Sequence, residues 1–183
     1  MKIILIRHCE TDWNAGEDRL QGHIDIELNK RGCEQAIILA EKLKVMGISI
    51  IFSSDLKRAS ETSKIISAHL NKVPIKLDGR LRECNFGSLQ GKTKKEVQEI
   101  YKSTGCCKGP HDYNFAQFGG ENRKKVLARQ LALLDELKKY EDDVFLLVGH
   151  GTSLNTILSE LGYDSNLLRE EYRIIEYPTK TQQ

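Results

Sequence analysis

Residues 3–14 read IILIRHCETDWN: an aliphatic run from Ile3 to Ile6 that ends at once in Arg7, His8, Cys9 and Glu10. A run without polar alternation suits a strand covered on both faces, as in a parallel sheet flanked by helices. The pattern recurs twice. Ile48 to Phe52 leads into Ser53, Ser54 and Arg58, and Val144 to Val148 leads into Gly149, His150 and Gly151. In an open parallel sheet, ligands bind outside the carboxyl ends of the strands, so these runs predict two arginines and two histidines at one edge.

Helical periodicity fills the gaps between strands. A helix beginning near Leu28 or Asn29 carries Ala36, Leu39, Ala40, Leu43 and Met46 on one face, with Gly47 as its C-terminal cap. Ser53, Ser54 and Asp55 supply N-cap types for a helix bearing Leu56, Ala59, Ile65, Ile66 and Leu70. A short strand near Val73 to Leu77 and a helix from Thr93 to about Tyr101 follow. A long helix from Glu121 to Tyr140 has Val126, Leu127, Leu131, Leu134 and Leu137 as its buried stripe. A last helix restarts at Thr152 or Ser153, an edge strand covers Tyr172 to Tyr177, and the residues from Pro178 on read as a tail. This alternation predicts an α/β fold, a three-layer α/β/α sandwich around a mostly parallel central sheet.

The length of 183 residues predicts one domain, 1–183. Residues 102–120 mix Gly, Pro, Lys and aromatics without periodicity, which predicts a lid or specificity excursion. With 28 basic against 26 acidic residues the net charge is only +2, and it is spread along the chain. That argues against nucleic acid as a partner. No apolar stretch is long enough to span a bilayer and no leader precedes the first strand, so a cytoplasmic location without a membrane partner is expected. Oligomeric state is not legible. The five cysteines, at irregular spacing, predict reduced thiols, and Cys106, Cys107 and His111 lack the two-residue gap of a zinc site.

Two arginines and two histidines at one edge suit a tetrahedral dianion. Arginine forks match phosphate oxygens bidentately, and helices starting after Ser54 and after Gly151 would aim free N–H groups at the same place. A neutral imidazole attacks phosphorus without first losing a proton, which points to phosphoryl transfer through a phosphohistidine. One ring must then be neutral and its partner protonated to steady the transition state. Glu83, in the turn-like stretch LRECNFG, is the candidate donor of a proton to the leaving oxygen.

The motifs RHCETDWN, LQGHIDIELNKRGCEQA, SSDLKRASET, LRECNFGSLQGKT, FGGEN and VGHGTSLN, in that order, resemble the histidine phosphatase superfamily in its phosphoglycerate mutase-like branch. The resemblance implies His8 as the phosphorylated nucleophile, Arg7 and Arg58 as phosphate clamps, and His150 as the second pocket histidine. It implies Glu83 as proton donor and acceptor, with Asn14, Gln21 and Gly22 as substrate contacts beside Gly151. Neither a metal nor an organic cofactor is implied, and the expected partner is a small phosphorylated metabolite. The expected activity is hydrolysis of phosphate monoesters. A phosphoglycerate mutase is the alternative within this branch, although the segment between Gly91 and Glu121 is short for one. A phosphate or phosphopeptide binder without turnover is the alternative outside it.

Two other motifs fail. GSLQGKT has three residues between its glycines where a Walker A loop needs four. Cys9 stands where the family has glycine, and the next arginine after it, Arg19, is too far along for a cysteine phosphatase loop. Cys9 is expected as a small packed side chain; a redox-sensitive thiol of lowered pKa is the second reading. His23 and His69 are assigned no role.

Overall fold

The computed structural model describes residues 1–109, 112–140 and 143–178. In chain order the main elements are β1 (Lys2–Arg7), α1 (Asp12–Ala15), α2 (Lys30–Leu43), β2 (Ile50–Ser53), α3 (Lys57–His69) and β3 (Ile75–Leu77). They continue with α4 (Lys94–Thr104), β4 (Cys107–Gly109), β5 (Asp112–Tyr113), α5 (Arg123–Leu137), β6 (Val144–Gly149), α6 (Gly151–Glu160) and β7 (Tyr172–Glu176). The main sheet has the order β3-β2-β6-β1-β7, parallel except for β7, which runs antiparallel to β1 at the edge.

The unalternating runs are explained by burial on both faces. Ile3, Leu5, Phe52, Phe145 and Leu147 point to one side, where they meet Leu133, Leu134 and Leu137 of α5 and Leu154, Ile157 and Leu158 of α6. Ile4, Ile6, Ile51, Leu146 and Val148 point to the other, against Ala36, Leu39, Ala40 and Leu43 of α2 and Ala59 and Ile66 of α3. Successive strand residues thus feed opposite cores, as the period of two requires, and the layers are α/β/α. No helix among the described residues is long and apolar enough to cross a membrane.

Several boundaries move. The helix expected from Ser53–Asp55 is capped instead by Leu56, with no side-chain cap of its own; Asp25 Oδ1 accepts the Lys57 N–H at 2.6 Å in its place. On α5 the expected stripe members Leu127 and Leu131 are only half-buried, while Gln130 and Leu133 are buried. The one-turn helix α1 is too short to leave a periodic signal. Within the expected excursion 102–120, the described residues include the end of α4 and the antiparallel pair β4 and β5, and Phe115 packs edge-on against Phe86 at 5.2 Å. The candidate zinc ligand His111 and the end of the expected tail, 179–183, lie outside the described residues.

Candidate active site

Strand register builds the site. β1 and β6 pair with Arg7 opposite Gly149, so His8 and His150 are the next residues in step, and β2 pairs with β6 up to Ser53 opposite Val148. The His8 N–H continues the ladder to the Gly149 carbonyl at 2.9 Å, and the two imidazoles stand 5.0 Å apart between centroids. A cleft of about 610 Å³ opens over this edge; its wall includes Arg7, His8, Asn14, Gln21, Gly22, Arg58, Glu83 and Gly151. His150 is fully buried behind that wall and pairs through Nε2 with Ser54 Oγ at 2.9 Å.

The ring of His8 is oriented by a backbone contact. Its Nδ1 lies 2.7 Å from the Cys9 carbonyl, which can only accept, so Nδ1 carries the proton and Nε2 presents the lone pair. Burial first, then Arg58 and Arg7, push the His8 imidazole well below its ordinary range, which keeps it neutral. The same three influences act on His150, with burial again the largest and His8 adding to them. On their own, the protein's groups push both rings toward the neutral form, because each sits desolvated beside two guanidinium groups. The expected split into one neutral and one protonated ring belongs to the transition state, where a phosphate dianion faces the same guanidinium groups.

Arg58 is fully buried and anchored by two carbonyls: Nη1 donates to Ile24 O at 2.9 Å and Nη2 to Gly22 O at 2.7 Å. Burial lowers its pKa to about 10, which leaves it charged at neutral pH. The loop it holds depends on Gly22, whose φ is +51° and whose Cβ would lie 2.1 Å from Gln90 Oε1. Gly151 serves a different need. A Cβ there would come within 3.3 Å of Arg7 Cζ, so the glycine leaves room for the guanidinium.

Glu83 is buried and occupies the start of α6. Its Oε1 accepts from the Ser153 N–H at 2.9 Å and the Cys84 N–H at 2.8 Å, while Oε2 accepts from the Thr152 N–H at 3.2 Å. The expectation that helix N-termini face the phosphate is corrected on both counts: α6 spends these donors on Glu83, and α3 spends its own on Asp25 and the Ile26 carbonyl. Three residues that sequence reasoning missed support the site. His23 Nε2 donates to Glu83 O at 2.9 Å, Arg129 Nη2 donates to the same carbonyl at 2.9 Å, and Arg169 lines the cleft beside Asn14. Only His23, next to Gln21 and Gly22, carried any signal.

Cys9 has no exposed surface and packs in the α2-side core, its N–H donating to Thr62 Oγ1 at 3.2 Å. Burial pushes its thiol up to about 12, so the reading of a low-pKa redox thiol is corrected. Among the described residues no group of three or more His, Cys, Asp or Glu side chains is placed to hold a metal ion.

The sequence profile of the histidine phosphatase superfamily, branch 1, matches residues 3–173. This chain belongs to the histidine phosphatase superfamily. Within that superfamily it is 37% identical over 162 residues to the Arabidopsis thaliana phosphoglycerate mutase-like protein 4, covering 85% of this chain and 69% of that one. It is 33% identical over 168 residues to the glucosyl-3-phosphoglycerate phosphatase of Mycolicibacterium vanbaalenii, covering 87% and 73%. Among solved structures, Bacillus stearothermophilus YhfR superposes with a TM-score of 0.83 at 29% identity, covering 98% of this chain and 93% of its own.

Proposed function

We propose that this chain, acting as a single domain, hydrolyses small phosphate monoesters through a phosphohistidine on His8. The observation that carries the reading is a neutral imidazole with a free Nε2 lone pair, buried beside Arg7 and the carbonyl-anchored Arg58 on the wall of a cleft that also contains Glu83. Arg7 and Arg58 hold the phosphate oxygens while Nε2 attacks phosphorus in line; the N–P bond forms as the ester P–O bond breaks. Glu83 delivers the proton to the departing oxygen. Its Oε1 is engaged by two N–H donors, which leaves the more lightly held Oε2 to carry that proton. Water then attacks the phosphohistidine, gives its proton to Glu83 and releases phosphate.

Relatives named as a phosphatase and as mutase-like both occur, and the hydrolase is favoured because only a short segment separates Gly91 from Glu121 in this chain. The substrate is taken to be a small phosphorylated metabolite, with the hairpin residues Cys107, Gly109 and Tyr113 roofing the cleft as its specificity segment. Metal-independent action in the cytoplasm completes the reading, and the five unpaired cysteines fit a reducing compartment. Phosphate release over a panel of metabolite monoesters, with phosphoglycerate mutase activity assayed alongside, tests it. Turnover of at least one monoester is expected; exclusive transfer between positions on a glycerate would overturn the hydrolase in favour of the mutase.

A further inference from the structure

Asn14 is 6% exposed, and its carboxamide is held from one side only. Oδ1 accepts from the Thr11 N–H at 3.0 Å and from Arg169 Nη1 at 2.6 Å. Both partners are donors with no lone pair to offer, so the amide cannot sit the other way round. Nδ2 is forced to the opposite side, where it is buried without a protein partner while Asn14 itself lines the cleft with His8. A buried donor left unpaired is costly, and that cost is relieved when a ligand oxygen accepts from it.

Arg169 is held in place by a strained turn. The next residue, Glu170, has φ +64°, a left-handed conformation that is unfavourable for a side chain of this kind. Gln35 Nε2 fastens the turn by donating to Glu170 Oε1 at 2.7 Å, and Lys42 Nζ donates to Glu170 O at 3.1 Å. Gln35 Oε1 also accepts the Glu10 N–H at 2.9 Å, which ties the turn to the segment that follows His8. A second bond, from Arg169 Nη1 to Asn14 O at 3.0 Å, fixes the backbone as well as the amide.

We propose that Arg169 is a positioning residue that locks the Asn14 carboxamide with Nδ2 toward the cleft, where it donates to an oxygen of the bound phosphate group. The proposal rests on the phosphoryl-transfer reading above and extends it to a residue outside every motif. Arg169 has a simpler rival role, as one more positive charge near His8 and Arg7. The two roles separate cleanly, because positioning acts through Asn14 and a plain charge does not.

The test is competitive inhibition by inorganic phosphate, measured on para-nitrophenyl phosphate hydrolysis by wild type, Asn14→Ala, Arg169→Met and the double variant. Each single variant is expected to raise the phosphate inhibition constant about tenfold, the loss of one charge-assisted or buried hydrogen bond, and the double variant no further than Asn14→Ala. Arg169→Lys, which keeps a donor, is expected to recover part of the loss when Asn14 is present and none when it is absent. Equal losses from Arg169→Met in both backgrounds, or no loss beside Asn14, overturn the proposal. Thermal melting checks folding, and if Arg169→Met does not fold, Arg169→Gln and Arg169→Lys read the same cycle. A wild-type chain that does not hydrolyse para-nitrophenyl phosphate overturns the phosphoryl-transfer reading and positioning together; an active wild type that phosphate does not inhibit, or whose losses are additive, overturns positioning alone.

Discussion

The inner and outer walls of the cleft are built in different ways. The inner wall is the carboxyl edge of the sheet, where His8 is fixed by the Cys9 carbonyl, Arg58 by two loop carbonyls, and Glu83 by three backbone N–H groups. The outer wall is assembled from distant surface segments whose backbones meet in an Arg19–Thr93 bridge but whose side chains pair at the surface, as Lys94 with Asp18 and Arg19 with Glu17, which are 37% to 69% exposed. Backbone partners cannot rotate away, so the inner wall keeps its geometry before a ligand arrives. Exposed ion pairs contribute little and are screened, which leaves the side chains of the outer wall adaptable. The division suits an enzyme with one chemistry and a variable leaving group.

The sharpest way to break this contrast is at Glu83. Glu83→Gln removes the transferable proton and, with its oxygen kept on the Cys84 and Ser153 N–H groups, sets its N–H₂ against the Thr152 N–H, so kcat is expected to fall by about 10²- to 10⁴-fold, measured by steady-state phosphate release. Arg58→Met comes next. Loss of the buried clamp is expected to lower kcat/KM by about 10²- to 10³-fold, while the Gly22 and Ile24 carbonyls left unpaired cost about 1–3 kcal/mol in urea unfolding.

The histidines predict a pH dependence of stability. Folding holds His8 and His150 well below their ordinary range, whereas in the unfolded chain both return to about 6.5. The unfolded state therefore binds more protons below that pH, so stability falls as pH drops from about 6.5 toward the folded values, and the loss ends below them. Urea unfolding at about pH 7.5 and about pH 5.5 measures this, and His150→Asn should flatten the difference. An unchanged difference would contradict the desolvated, neutral pair. The smallest effect belongs to the outer wall: Lys94→Ala should change stability by no more than about 1 kcal/mol in the same assay. Its mark should instead be a KM that shifts differently for different leaving groups.

The inner wall was also the part legible in the sequence. Arg7, His8 and His150 stand directly after buried aliphatic runs, and a parallel register carries such positions to one edge by itself. Arg58 and Glu83 were reachable through their motifs. Their partners were not, because a hydrogen bond from Arg58 to the Gly22 carbonyl or from Ser153 N–H to Glu83 joins segments that no local pattern relates. For that reason the helix N-termini were expected to serve the phosphate, when they serve Asp25 and Glu83. Arg169 left no signal at all: it lies in an aperiodic turn, and its value depends on Asn14 being 155 residues away in sequence.

The proposed mechanism stands on a covalent bond from His8 Nε2 to phosphorus. Rapid acid-free quench of the enzyme turning over a ³²P-labelled monoester, followed by peptide mapping, tests it most directly. An acid-labile, base-stable label is expected on the peptide containing His8, absent from His8→Ala and accumulating in Glu83→Gln when an activated leaving group is used. Phosphate release by wild type with no label on that peptide, or by His8→Ala at more than about a hundredth of the wild-type rate, would contradict it.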